Sequence, residues 1–396
     1  MEQEISLIQA LKQGHFEQAR ELLNSGHQLP ENLSDYERTA VLDSLVRSKT
    51  FELILLLMEN GFIERDIYEY DSFRGSIFES LFKYLAADED SLSFLEQFTG
   101  KLQSLSSEVQ DQTLLGVALE HGTDLRFIKC LVQAGCSLDY KNNAEENYLY
   151  QVVNNHSLSL RNIDKGLEYL KYLVDQGLEV NQGNIVGTTP LQMAIDRNKK
   201  PYVDFLLENG ADPNASDRAG KSPFYAAVVH QFNLELYEKL ARYSSVDFEA
   251  TSAEGEALLP AYMRMLNRAG ETELKLLARL LEDGGDPYQT AHHYGKAKSV
   301  LDWAAEKSLD VLKTVVEKGN VEINRQDDQG NTVLHKVCAV QVNYDKEAAK
   351  ELYRKAKFLL EQGADANLQN DKDQSALNLA SDDNLKSKTV ELLMQQ

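Results

Sequence analysis

GTTPLQMAIDRNKKPYVDFLLENGADPNASD, residues 187–217, is the stretch of sequence that decides the fold. Its opening returns 33 residues later, at Gly220, as GKSPFYAAVV, and again at Gly330 as GNTVLHKVC. Its closing part returns at 358–371 as FLLEQGADANLQND. Recurrence at such a period is typical of an array of stacked structural units, each of which contacts only its neighbours.

Each copy of this theme predicts two short helices joined by a tight turn. Thr189 suits the cap of the first helix, and Pro190 stands in the first turn, where a missing N–H costs nothing. Leu191 and Ala194 are three residues apart and therefore share one buried face. Gly210 stands where the second helix needs a left-handed stop. Because no single unit covers its own apolar face, the units must stack.

The theme resembles the ankyrin repeat, whose pattern is a turn with G-x-T-P-L-H-x-A, a V-x-x-L-L helix and a closing G-A-D-x-N. The matching residues are Thr189, Pro190, Leu191, Ala194, Val203, Leu206, Leu207, Gly210, Ala211, Asp212, Asn214, Thr332, Leu334, His335, Gly363, Ala364, Asp365 and Asn367. The resemblance implies an all-α solenoid of stacked helix–turn–helix units with short finger turns. Weaker copies bring the total to about eleven helical pairs.

The domain boundaries follow from how well each part matches the pattern. Residues up to Gly61 keep only the rhythm of helices and glycines, and residues 62–100 match the pattern poorly, so we expect divergent helical, ankyrin-like repeats over 1–110. The aromatic side chains of 68–84 are expected to form the core of one such repeat, with a second binding surface as the alternative. Residues 111–396 are expected to form the main array with a capping repeat at its C-terminal end.

Three segments interrupt the period. Residues 288–298, YQTAHHYGKAK, are expected to form an extended loop, and residues 342–357, VNYDKEAAKELYRKAK, a lengthened helix. An insert from about Asn155 to Lys165 splits another repeat. Inserts within repeats usually emerge on one face, which is often the face that binds a partner.

Charge constrains the choice of partner. The 396 residues include 41 Lys and Arg against 63 Asp and Glu, which gives a formal net charge of −22, half of it in the first hundred residues. Such a charge repels phosphate backbones, so we expect no nucleic-acid partner. A basic protein would instead be attracted, mainly through faster association. The alternative interpretation is that the charge serves solubility alone.

Cysteine content and hydropathy point to a reducing, aqueous compartment. Three cysteines without metal-ligand spacing predict neither a disulfide framework nor a metal site. The first residues, MEQE, are acidic where a signal peptide would be basic. The longest aliphatic run, 54–58, is too short to cross a bilayer. We therefore predict a cytoplasmic protein that does not bind a membrane.

The segments that suggest chemistry are better explained by the repeat. Residues 215–222, ASDRAGKS, lack the first glycine of a phosphate loop, and 370–373, NDKD, lack the later residues of a calcium loop. Both segments fall at finger turns. His335 is expected to bond backbone in such a turn, and Trp303 to pack in the core. We predict no catalytic residue, no cofactor and no metal.

The resemblance implies that protein partners bind a concave surface formed by finger turns and first helices. Ile185 and Val186 are the most informative pair, since apolar fingertip residues gain little from folding alone. The alternative is that they pack against a neighbouring finger. The full set of predicted binding residues is Ile185, Val186, Thr188, Asp196, Arg197, Arg218, Lys221, His230, Tyr288, His292, His293, Tyr294, Gln326 and Asp328, with Val229 outward beside His230.

Four functions fit these observations. The first is a non-catalytic scaffold that binds a partner protein. The second is an immunity protein that neutralises a basic toxin or enzyme, an idea based on the net charge of −22. The third is a secreted, host-directed effector, which would require an export signal. The fourth is an enzyme whose active site lies within the divergent residues 1–110.

Overall fold

The chain forms a series of paired helices in a computed structural model, which describes residues 6–30, 33–158 and 162–396. It divides into two compact units, Met1–Ala211 and Asp212–Gln396. The described residues contain 22 α-helices, which follow one another as eleven pairs. The predicted all-α architecture is therefore confirmed, and the pairs extend through the divergent N-terminal region.

The first unit contains six pairs of helices. Their bounds are α1 Leu7–Gln13, α2 Phe16–Asn24, α3 Asp35–Arg47, α4 Phe51–Glu59, α5 Ile77–Tyr84, α6 Glu89–Thr99, α7 Leu114–Glu120, α8 Leu125–Ala134, α9 Tyr148–Asn154, α10 Ile163–Asp175, α11 Pro190–Asp196 and α12 Lys200–Glu208. A short 3-10 helix, Ile67–Glu69, precedes α5.

The second unit contains five pairs of helices and one β-hairpin. The helix bounds are α13 Pro223–Tyr225, which continues as a π-helical turn Ala226–His230, α14 Leu234–Ala241, α15 Leu258–Met265, α16 Glu271–Glu282, α17 Val300–Glu306, α18 Leu309–Lys318, α19 Val333–Ala339, α20 Lys346–Glu361, α21 Ala376–Ala380 and α22 Ser387–Leu393. A 3-10 helix, Asn384–Lys386, precedes α22. The hairpin strands are β1 Thr290–His293 and β2 Lys296–Ser299.

Side-chain caps fix where the first helices begin. The Thr189 hydroxyl accepts the Gln192 N–H at 3.3 Å, and the Gln192 side chain accepts the Thr189 N–H at 2.8 Å. Pro190 is buried in the first turn of α11, as its position in the sequence predicts. Ser299 and Ser375 form equivalent caps ahead of α17 and α21. Such reciprocal caps satisfy N–H groups that a helix leaves unpaired at its start.

Within each unit the pairs stack as a solenoid. First helices pack on first helices, as α9 does on α11 and α17 on α19, and second helices pack on second helices, as α10 does on α12 and α16 on α18. Leu191, Ala194 and Leu206 are fully buried in this arrangement. Each pair thus covers the apolar face that its neighbour cannot cover by itself.

Five lysines join successive pairs; Lys199, Lys355 and Lys386 are buried, and Lys165 and Lys307 are half-buried. Each lysine donates to a carbonyl that ends or follows the first helix of the preceding pair. Four of them stand at or near the start of a second helix, and Lys355 lies in the middle of the lengthened helix α20. The five bonds are Lys165 Nζ to Gly122 O (2.7 Å), Lys199 Nζ to Val153 O (2.8 Å), Lys307 Nζ to Leu266 O, Lys355 Nζ to Ala305 O (2.8 Å) and Lys386 Nζ to Cys338 O (3.0 Å). Positive charge at a helix C-terminus also interacts favourably with the helix dipole.

The aromatic segment of the first unit is mainly core. Phe73, Phe78 and Phe82 are buried, and the Phe78 ring packs edge-on to that of Phe98 at 6.0 Å between centroids. This confirms that the segment forms the interior of a divergent repeat. Tyr68, by contrast, is 74% exposed.

The three predicted interruptions have different outcomes. The lengthened helix is confirmed, because α20 runs for 16 residues. Residues 288–298 were expected to form a loop, and this was wrong: they form most of the hairpin β1–β2, which turns at Tyr294 and Gly295 with left-handed φ angles of 49° and 76°. The insert near Asn155 to Lys165 includes residues 159–161, which lie outside the described residues, and α10 begins at Ile163 within it.

No helix among the described residues has the length and hydropathy needed to cross a bilayer.

Candidate protein-binding surface

One Asn or Asp side chain organises each of five fingertip turns. The Asp327 carboxylate accepts the N–H groups of Gln329 and Asn331, both at 2.9 Å, while the Asp327 N–H donates to Asn331 O at 3.0 Å. The same side-chain arrangement recurs at Asn142, Asn184, Asp217 and Asn370. Each lies five residues before the residue that caps the next helix. This constant offset is present in the sequence and could have located the fingertips, but the motifs predicted above do not include it.

A left-handed residue closes each fingertip. Gly330 has φ +75°, and an added Cβ would meet the Asp371 backbone nitrogen at 2.7 Å. Gly220 has φ +71° in the segment that resembles a phosphate loop, and Ser222 caps α13, so the interpretation of that segment as a finger turn is confirmed. Asp373 takes the same place with φ 55°, without a glycine.

Neighbouring fingertips are joined by backbone hydrogen bonds. The three bonds are Ile185 N–H to Ala144 O (2.7 Å), Ala253 N–H to Ala219 O (2.8 Å) and Asp371 N–H to Gln329 O (3.0 Å). In each pair the donor is one residue after the organising residue of its fingertip, and the acceptor is two residues after that of the preceding one. For Ala253 the organising position is held by Ser252, whose N–H donates to Glu256 O at 2.9 Å. These three bonds, one in the first unit and two in the second, are termed the ladder.

The most prominent apolar fingertip is that of Ile185 and Val186. Their side chains are 42% and 49% exposed, although the Ile185 backbone is held by the ladder. Thr188 is half-buried, and its N–H donates to Asn184 Oδ1 at 3.0 Å. The fingertip backbone is thus fixed, while two apolar side chains stay in contact with solvent.

The end of α11 supplies exposed charges. Asp196 and Arg197 are both exposed, as predicted from their position at the end of a first helix. The Arg197 guanidinium donates to Asn154 Oδ1 at 2.9 Å and so bridges to the end of α9.

At the end of the next first helix, α13 with its π-helical turn, one prediction was wrong. Val229 was predicted to point outward, but it is only 2% exposed. The wide π-helical turn, in which the Gln231 N–H donates to Ala226 O at 3.1 Å, changes the register of the helix end and turns Val229 inward. His230 is exposed, with its ring 5.2 Å from the Tyr225 ring.

The fingertip ahead of α13 carries the remaining predicted residues of this region. Arg218 is exposed. Lys221 is half-buried and places its ammonium group 5.8 Å from the centre of the Tyr225 ring.

The hairpin β1–β2 packs on the first helix that follows it. Trp303 of α17 is 8% exposed, which confirms its predicted core position. The His293 ring lies 4.9 Å from the Trp303 ring, and the Lys298 ammonium lies 3.4 Å from the same ring. His292 is exposed on the opposite side, and Tyr294, at the tip, is 95% exposed. The two histidines therefore point to different surroundings.

Two of the predicted binding residues, Tyr288 and Gln326, already form contacts within the chain. The Tyr288 hydroxyl accepts the Glu322 N–H at 2.8 Å, and the Arg325 guanidinium covers the Tyr288 ring at 3.9 Å. Gln326 is exposed, but its amide donates to Gly330 O and Gln369 O at 2.7 and 2.8 Å. Their side chains stabilise the fingertip region of the second unit.

A groove of about 230 Å³ separates the hairpin from the fingertip 327–331. Tyr288, Gln326 and Asp328 line it, so three predicted residues meet there. At its floor the Lys336 ammonium bonds Asp302 at 2.7 Å and also Asp327. Burial by itself would lower the pKa of Lys336, but the two carboxylates outweigh burial and raise that pKa.

The N-terminal region contains a larger cleft, of about 530 Å³, lined by Arg38, Glu64, Tyr70 and Arg74 among others. The Tyr70 hydroxyl donates to the Glu64 carbonyl at 2.9 Å. Burial and, to a lesser extent, the Glu64 carboxylate raise the pKa of Tyr70, so its proton is firmly held.

His335 lies in the interior, beneath the last fingertip. His335 is buried, with its Nε2 3.1 Å from Gln374 O, and burial lowers its pKa. Its predicted role in bonding fingertip backbone is confirmed. In the part of the chain that the structure describes, no group of three or more His, Cys, Asp or Glu side chains is placed to hold a metal ion.

Comparison with known proteins identifies the repeat. Residues 161–252 match the family model of ankyrin repeats in three copies. The chain is 31% identical over 185 residues to ANK repeat-containing protein nipk-1 of Caenorhabditis elegans, a match that covers 43% of this chain and 30% of that protein. It is 28% identical over 229 residues to NF-kappa-B inhibitor delta of Mus musculus, covering 52% and 67%.

Among solved structures, the ankyrin repeat domain of Bcl-3 superposes with a TM-score of 0.48 at 22% identity, covering 63% of this chain and 99% of that one. The two sequence relatives are matched only in part: the alignment with this chain covers about a third of the nematode protein and about two thirds of the mouse protein.

Proposed function

This chain carries ankyrin repeats, and we propose that it is a non-catalytic scaffold that binds a partner protein through its fingertips and first helices. Ankyrin repeats typically serve as scaffolds for protein–protein interaction. The observation that carries the proposal is the fingertip of Ile185 and Val186. Its backbone is fixed by the ladder, yet both apolar side chains are more than two-fifths exposed. A partner that covered them would bury apolar surface at little entropic cost.

The net charge of −22 supports a basic partner. Opposite charge accelerates association and favours the correct partner over others. The mouse relative, whose name describes an inhibitor of another protein, supports a binding role as well. No step of this proposal requires a cofactor.

The proposal is tested with a double substitution, Ile185→Asp with Val186→Asp. The partner is first captured from cells that make the protein, identified by mass spectrometry and purified. We expect its affinity for the double variant to fall at least ~10-fold, because two charges replace apolar contacts. The thermal unfolding midpoint should change little, because exposed substitutions usually alter stability by only about 0.5 kcal/mol.

Lys171→Asp is the matched control. It adds the same two units of negative charge, and Lys171 is exposed on the second helix α10, away from the fingertips. This variant should keep wild-type affinity. Equal weakening by both variants would mean that only net charge matters, and a large loss of stability in the double variant would place Ile185 and Val186 in the core.

A narrower candidate is an immunity protein that neutralises a basic toxin or enzyme. Only the net charge favours it. Its complex should weaken steeply as the salt concentration rises, since exposed charge pairs are screened within about 10 Å at 0.1 M salt. An affinity that is indifferent to salt would count against this candidate and leave the scaffold proposal standing.

A further inference from the structure

The ladder between fingertips is interrupted where the hairpin replaces a fingertip. At the fingertip organised by Asp327, the donor position of the ladder belongs to Asp328, one residue later. In three other fingertips the equivalent N–H groups, those of Ile185, Ala253 and Asp371, donate to the preceding fingertip at 2.7–3.0 Å. Within the described residues the Asp328 N–H makes no such bond, and Asp328 lines the groove of about 230 Å³ between this fingertip and the hairpin.

The other wall of this groove is an open strand edge. The register pairs His293 with Lys296 and Ala291 with Lys298, across a two-residue turn. In such a hairpin the closing pair exchanges hydrogen bonds and the next pair does not. The N–H and C=O of Ala297 therefore point away from β1, and Ala297 lines the groove. The outward N–H of Ser299 is already used, since it donates to the Asp302 carboxylate at 2.7 Å.

We infer that this groove accepts a short extended segment of a partner protein, which pairs with the edge of β2 at Ala297 and with the N–H of Asp328. The segment accepts the hydrogen bond that the preceding fingertip accepts elsewhere in the ladder. Main-chain pairing of this kind adds a strand to an exposed edge and gives affinity without a preformed apolar pocket. The inference rests on the proposed protein-binding function and specifies one site for it.

The charges of the groove indicate which segment fits. Asp302 and Asp327 share the half-buried Lys336 ammonium, so the floor is locally compensated. Arg325 is stacked on Tyr288. Asp328, at the rim, is exposed and forms no ion pair within the described residues. A segment with an uncharged residue over the floor and a Lys or Arg beside Asp328 is therefore complementary, because a second cation at the floor would lack a partner.

The test uses the full chain and a defined probe. The probe is a set of synthetic hexapeptides with blocked ends, in which each position in turn is fixed as Lys, Glu or Ala. We expect peptides with one Lys to bind better than the matched Glu peptides. Hydrogen exchange of the complex should slow in 288–299 and 325–331, where the backbone groups become paired.

Two proline variants separate edge pairing from general damage to the hairpin. Ala297→Pro removes the outward N–H on the groove side, and His292→Pro removes the outward N–H of the directly paired residue on β1. Proline is tolerated at strand edges where the N–H faces solvent. Emission of Trp303, the only tryptophan, reports whether the hairpin still packs on α17 through His293 and Lys298.

Ala297→Pro should weaken the best peptide about 10-fold, while His292→Pro should leave its affinity unchanged. Asp328→Asn should remove most of the preference for Lys over Glu. Equal loss in both proline variants with unchanged Trp303 emission would overturn the inference. So would the absence of peptide binding at millimolar concentration, or protection that maps to the fingertip of Ile185 and Val186. That last result would still support the proposed function.

Discussion

Lys199→Met tests whether buried lysines hold successive pairs together. Lys199 is 7% exposed, and its ammonium donates to Val153 O and Asn155 O, both at 2.8 Å. Methionine fills a similar volume but cannot donate, so two carbonyls at the end of α9 lose their partner. A buried polar group left unpaired costs roughly 1–3 kcal/mol. Met also avoids the desolvation of a buried ammonium, which offsets part of this cost.

We therefore expect the free energy of unfolding to fall by about 2 kcal/mol at neutral pH. Equilibrium urea unfolding followed by far-ultraviolet circular dichroism measures this change. Hydrogen exchange resolved by mass spectrometry should also accelerate in α9 and α12 more than in α2 and α4. Lys171→Met, on an exposed face of α10, is the control and should change neither measurement.

The lowered pKa of Lys199 also predicts how the stability of the protein depends on pH, and Lys199→Met should change that dependence. Burial, and to a lesser extent Arg197, lowers the pKa of Lys199 to about 8, from about 10.5 in an unfolded chain. Between these values the unfolded state binds more protons, so the stability of the wild-type protein rises with pH. Lys199→Met should reduce this rise without abolishing it, because burial also lowers the pKa of Lys355 to about 8. An unchanged stability and an unchanged rise would refute the role given to the lysine.

Three further perturbations test the packing and the fingertips. Leu206→Ala should lower the free energy of unfolding by ~2–5 kcal/mol in urea titrations, because Leu206 is fully buried between pairs; a change below about 1 kcal/mol would argue against tight stacking. Gly330→Ala should destabilise the fingertip by about 1–2 kcal/mol, because its φ is +75° and a Cβ would meet Asp371; hydrogen exchange in 369–375 should accelerate, and no acceleration would contradict this. Thr332→Ala should cost about 1 kcal/mol through loss of the cap of α19, whereas Thr332→Ser, which keeps the hydroxyl, should restore most of it in thermal unfolding.

The sequence predicts the arrangement of the pairs well because the pattern is local. Caps such as Thr189, a proline in the first turn and apolar residues on one face each act within a few residues, so they can be interpreted without knowing the neighbours. The same rhythm of helix and glycine identifies the pairs before Gly61, where the motif itself is lost, whereas the pair α5–α6 lies in a segment that matches the pattern poorly.

Features that depend on contacts between neighbouring pairs could not be predicted from the sequence. Lysines are usually exposed, so nothing in the sequence indicates that Lys199, Lys355 and Lys386 are buried against the preceding pair. The hairpin was missed because its turn, Tyr294-Gly295, lacks the usual Asn or Asp before the glycine. Val229 was misplaced because a π-helical turn changes the register of the helix end.

The candidate binding surface could be predicted only in part from the sequence. The exposure of Ile185 and Val186 could be predicted from their place in the motif. The contacts of Tyr288 with Arg325 and of Gln326 with Gly330 depend on the next fingertip, and those side chains therefore contribute less free surface than their sequence positions indicate.

A site-specific photo-crosslinking comparison tests the proposed binding surface most directly. A photoreactive phenylalanine analogue is placed at Val186 in one protein and at Lys171 in another, and each is irradiated with the purified partner. We predict a covalent adduct from position 186 and none from position 171, because only the fingertip faces the partner. Adducts from position 171 alone would place the partner on the second helices and contradict the proposed binding surface.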